Sequence, residues 1–68
     1  MTMTTIYQTK NYRVSKKTFN TEQWIVQSDV FGRFEIARNI RCECICKSED
    51  DAVKMADILQ SLEDQIAA

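Results

Sequence analysis

Three thiols on alternate residues, Cys42, Cys44 and Cys46, are the side chains whose type and spacing most invite chemistry. Such a run offers soft ligands to a metal ion, or partners for a disulfide. Neither use is easily completed. Structural zinc takes four ligands, often from two separated pairs, and the chain has only these three cysteines and no histidine. Alternate residues of a strand lie roughly 6.6–7 Å apart, at or beyond the upper edge of disulfide reach. The expectation is therefore that the three cysteines are small apolar core residues under Ala52, Met55 and Ala56, with no metal and no cofactor. Other catalytic constellations are thinner still. Glu49, Asp50 and Asp51 cluster where a helix start accounts for them. Glu35 and Glu43 alternate with apolar residues and read as a solvated strand face. No glycine-rich phosphate loop, zinc-ligand helix or nucleophile elbow is present. The chain is expected not to be an enzyme.

The element that organises the rest is the C-terminal stretch 48–66. Ser48 can cap the first turn, with Asp51 three residues on. Ala52, Met55, Ala56, Leu59, Leu62, Glu63 and Ile66 follow at helical spacing, all but Glu63 apolar. Upstream, residues 6–47 read as sheet. Ile6 to Ser15 is a first strand and Lys16 to Thr21 a hairpin loop, with Phe19 folding back over a core edge. A second strand runs over Glu22 to Asp29, with Trp24 and Val26 under the helix. Gly32, the only glycine, marks a turn that needs positive φ. Phe34 to Lys47 is the third strand, with a bulge near Arg38 or Asn39, or a break that creates a fourth. The fold class is α+β, a three-stranded antiparallel sheet, or a four-stranded one, with one C-terminal helix on one face, β-β-β-α. The 68 residues form a single domain, with 1–5 disordered. The expected core is Ile6, Tyr12, Val14, Trp24, Val26, Phe34, Ile36, Ile40, Cys42, Cys44, Met55, Ala56, Leu59 and Leu62.

The order of these motifs resembles small accessory proteins of phages and mobile elements. The resemblance rests on a Tyr-x-Val strand (Tyr12, Val14), a Trp-x-Val strand (Trp24, Val26), a strand ending in Cys46-Lys47-Ser48, and an acid-rich helix start whose stripe ends near Leu62-Glu63. It covers about residues 12–63, and the cysteine-rich third strand departs from it. That class shares no common activity. Some of its members inhibit host defence systems by binding them, so the resemblance implies a binding role.

Charge divides the chain. Residues 1–47 hold eight basic against four acidic side chains, a net of +4, whereas 48–68 hold one lysine against six acids, a net of −5. No stretch reads as a signal peptide or membrane span, and the odd cysteine count suits reduced thiols, so a cytoplasmic protein without membrane contact is expected. The function expected is protein–protein interaction with an unknown partner, through the sheet face away from the helix. Tyr7, Ile25, Ala37, Arg41, Glu43 and Ile45 are assigned there, and a homodimer is expected through two-fold pairing of these faces or of edge strands. The alternative is a nucleic-acid-binding module using Arg13, Lys16, Lys17 and Arg41, but the sequence pI of about 5.2 lacks a basic excess.

Overall fold

The structure, a computed structural model, describes residues 3–17, 23–29, 32, 34–35 and 37–67. Strands β1 (Met3–Gln8), β2 (Tyr12–Lys17), β3 (Trp24–Asp29) and β4 (Ile40–Cys46) form one antiparallel sheet in sequence order, followed by helix α1 (Glu49–Ala67). The fold is α+β, β-β-β-β-α, and the fourth strand arises where none was expected. The Ile6–Ser15 run is two strands, and the chain reverses at Lys10–Asn11. Thr9 N–H donates to Tyr12 O (2.7 Å) and Tyr12 N–H donates to Thr9 Oγ1 (3.1 Å), so a threonine closes the turn. Among the described residues only Gly32 and Phe34 have positive φ, so this turn needs no glycine. Met3, Thr4 and Thr5 pair with Lys17, Lys16 and Ser15 rather than fraying. Lys16 and Lys17 thus belong to β2, not to a loop; Phe19 lies outside the described residues.

Gly32 keeps its expected role. Its φ is +67°, its N–H donates to Asp29 O (3.0 Å), and a Cβ there would lie 2.6 Å from Lys10 O. Phe34 and Glu35 are not strand. A 3-10 turn, Ala37–Asn39, leads into β4, so the irregularity at Arg38 and Asn39 precedes the strand.

The register places Tyr7, Val14, Val26 and Cys44 side by side under α1, with Trp24 and Cys46 in the next row. The core under the helix is Tyr12, Val14, Val26, Ala52 and Ala56, with Tyr7, Trp24, Cys44, Cys46 and Leu59 packed against it. Two bulges displace residues expected in this core. Ile6 is the extra residue of β1 between Thr5 and Tyr7, and it is exposed. Glu43 is the extra residue of β4, since Val26 pairs with Cys44 and Gln27 with Cys42. A bulge shifts the alternation by one, so Cys42 points to the opposite face from Cys44, exposed. Ile40 is paired with Asp29 on that opposite face and half-buried. Phe34, also half-buried, packs there beside Arg13; Ile36 lies outside the described residues.

Ser48 caps α1 as expected. Its Oγ accepts from Asp51 N–H (3.2 Å), and its carbonyl accepts from Ala52 N–H (3.2 Å). Ala52 and Ala56 are fully buried at the line of contact. Their lack of bulk lets the helix approach the sheet closely, so the large apolar residues of the stripe fall to one side. Met55 and Leu62 are 37 % and 50 % exposed rather than core.

Candidate interaction surface

At 3.6 residues per turn, Ala52, Ala56 and Leu59 mark the line of α1 that lies on the sheet, and the helix has a different chemistry on each side of it. On one side, and at the end of the line at Glu63, the contacts are polar. Tyr7 OH donates to Asp57 Oδ1 (2.5 Å) and Tyr12 OH to Glu63 Oε1 (3.2 Å). Gln60 grips the β1–β2 turn. Its Oε1 accepts from Asn11 N–H (2.7 Å) and Thr9 Oγ1 (2.9 Å), and its Nε2 donates to Asn11 Oδ1 (3.2 Å). The hydrogen bond to Asp57, with burial and the nearby carboxylate charge, raises the Tyr7 phenol above 10.0. Burial, then Glu63 and Glu43, raises that of Tyr12. On the other side stand Met55, Ile58, Leu62 and Ile66, exposed by 37, 54, 50 and 81 %. Scattered apolar residues on a surface are ordinary; four in a row along one helix flank form a continuous stripe.

The six residues assigned to the face away from the helix do not form one surface. Tyr7 lies under α1 through its bond to Asp57. The Glu43 bulge turns Arg41 to the helix side, where its register partner is Ser28. Arg41 and Glu43 line a cleft of about 180 Å³ with Asn11, Tyr12, Ser28, Asp29 and Glu63. There Ser28 Oγ donates to Glu43 Oε1 (2.5 Å). Ile25 does face away from α1, between Ser15 and Ile45, but it is 6 % exposed. Of the six, Ile45, at 56 %, offers open apolar area there; the side chain of Ala37 lies outside the described residues.

Nor do the four cations assigned to nucleic acid converge. Arg13 faces away from α1, donating through Nε to Gln27 Oε1 (2.8 Å) and lying 4.8 Å from the Phe34 ring centroid. Lys16 is on the helix side, its Nζ 5.3 Å from the Trp24 ring centroid. Arg41 is also on that side, at the cleft, and the Lys17 side chain lies outside the described residues. An alternating strand that places neighbouring cations on opposite faces builds no single basic platform.

Cys44 and Cys46, by contrast, stay together. Their sulfurs are 3.8 Å apart, both half-buried at the rim of the core. Burial, with Cys46 beside it, pushes the Cys44 thiol up from 9.0 to about 11. Among the described residues no group of three His, Cys, Asp or Glu gathers as a metal site, and no helix is long and apolar enough to cross a membrane. Sequence reasoning missed the polar anchors Asp57, Gln60 and Glu63. Glu63, the one acid within the apolar stripe, was the available signal. No family model, no curated protein and no solved structure matches the chain.

Proposed function

We propose that this chain is a small non-catalytic binding protein of the cytoplasm, of the accessory type that phages and plasmids carry, acting through protein–protein interaction. The observation that carries this reading is the exposed stripe Met55, Ile58, Leu62 and Ile66 on one flank of α1. A helix with apolar residues at this spacing suits the groove or helix of another protein. Residues 48–68 carry a net −5, so the occupant that fits is a segment with apolar side chains set among basic ones. A second copy brings the same negative charge to the stripe, which works against pairing helix to helix.

A photo-crosslinking residue at position 62, compared with one at position 13 on the opposite face, tests this in cells that express the chain. The expected result is one protein adduct from position 62, unchanged by nuclease and abolished by Ile58→Lys, in a variant that melts like the parent. Adducts from position 13 alone, or adducts lost on nuclease treatment, would overturn the reading. A product of twice the 7.9 kDa chain mass from position 13 would return the expectation of a homodimer through the sheet face.

A further inference from the structure

We propose that Cys44 and Cys46 form a two-thiolate site for a soft monovalent metal ion, copper(I). Two positions apart on β4, they share a face, and their side chains converge until the sulfurs are 3.8 Å apart. That separation is close to what a shared three-coordinate ion takes: two metal–sulfur bonds of about 2.3 Å at a trigonal angle span about 4.0 Å, with the third position open to a ligand from solution. The placement also allows entry. β4 is an edge strand of the sheet, and both sulfurs lie at the rim of the core with part of their surface open.

The ligand count selects the ion. Structural zinc takes four ligands, and among the described residues no third His, Cys, Asp or Glu joins the pair. Copper(I) has a filled d shell, accepts two or three sulfur ligands, and is selected by thiolates. Binding replaces two S–H bonds with two S–Cu bonds and releases two protons. The ion remains copper(I), so no oxidant or reductant takes part. Cys42 is an internal control, since the Glu43 bulge turns it to the opposite face, exposed and away from the pair.

The test uses the full chain, reduced and free of oxygen, titrated with copper(I) against a colorimetric copper(I) chelator. One ion per chain is expected for the parent and for Cys42→Ser, with affinity at least 100-fold lower for Cys44→Ser and Cys46→Ser. A parent that takes no copper from the chelator would overturn the site, as would a Cys42→Ser variant weakened like the other two. Thiol mapping on the parent covers the case in which Cys44→Ser or Cys46→Ser fails to fold. With one equivalent of copper(I), iodoacetamide should label Cys42 at its metal-free rate and Cys44 and Cys46 at least tenfold more slowly. Equal labelling of all three thiols contradicts the proposal.

Discussion

One flank of α1 meets the β1–β2 hairpin through Asp57 and Gln60, with Glu63 at the end of the contact line; the other carries Met55, Ile58, Leu62 and Ile66 into solvent. The polar flank is docked and the apolar flank is open. Two buried alanines between them explain how this can be. Ala52 and Ala56 bring the helix down close to Val14 and Val26, and at that distance the polar residues of one side reach backbone and hydroxyl groups of the hairpin. Burial of a small contact line supplies attraction without direction, whereas the hydrogen bonds fix the rotation of the helix about its axis. Had the rotation followed hydrophobicity alone, Met55 and Leu62 would lie inside, and the Asn11 N–H would need another acceptor.

The docked side should be the easier one to break. Gly32 abuts the same hairpin turn that Gln60 holds, and its φ of +67° with a Cβ 2.6 Å from Lys10 O leaves no room for a side chain. Gly32→Val should cost roughly 3 kcal/mol or more, combining positive-φ strain with a backbone clash, and so unfold much of a domain this small. Urea denaturation showing a loss under about 1 kcal/mol would mean that the turn is not pinned there.

Alkali gives a second test of the docked side. Tyr7, Tyr12 and Cys44 all hold their protons above their ordinary values of 10.0, 10.0 and 9.0, and Cys44 does so to about 11. The unfolded chain gives up these protons at lower pH, so raising the pH favours unfolding. The urea midpoint should hold steady from pH 7 to about 8.5, then fall towards pH 11. Tyr7→Phe with Tyr12→Phe should reduce the fall, leaving the Cys44 part. A midpoint that rises over that range contradicts the assigned contacts.

Much of this was legible in the sequence, and the reasons are local. Ser48 with its acidic first turn, the Trp24-x-Val26 alternation and the lone Gly32 each signal one conformation strongly, and each appears as expected. The Lys10–Asn11 reversal carries no glycine or proline and is closed by a threonine hydroxyl, so it reads as continuous strand. The bulges at Ile6 and Glu43 leave no mark in the alternation, yet the second reverses the faces of Arg41 and Cys42 and dissolves the expected interaction face. Helical periodicity showed that α1 has an apolar side. It could not show that small residues would take the contact line and leave the larger ones outside, because that depends on bonds between Gln60 and residues 49 to 51 positions away in sequence.

Helix α1 is held by its polar flank and leaves its apolar flank free. Urea denaturation of Gln60→Ala beside Leu62→Lys separates the two flanks. Gln60→Ala strips acceptors from Asn11 N–H and Thr9 and should cost about 1–3 kcal/mol. Leu62→Lys places a charge on an apolar position that is half open, and should stay within about 0.5 kcal/mol of the parent. The reverse order, a harmless Gln60→Ala and a Leu62→Lys that costs about 2 kcal/mol or more, is what burial of the leucine would produce. It would place the apolar flank inside the fold and leave the polar contacts without a part in holding the helix.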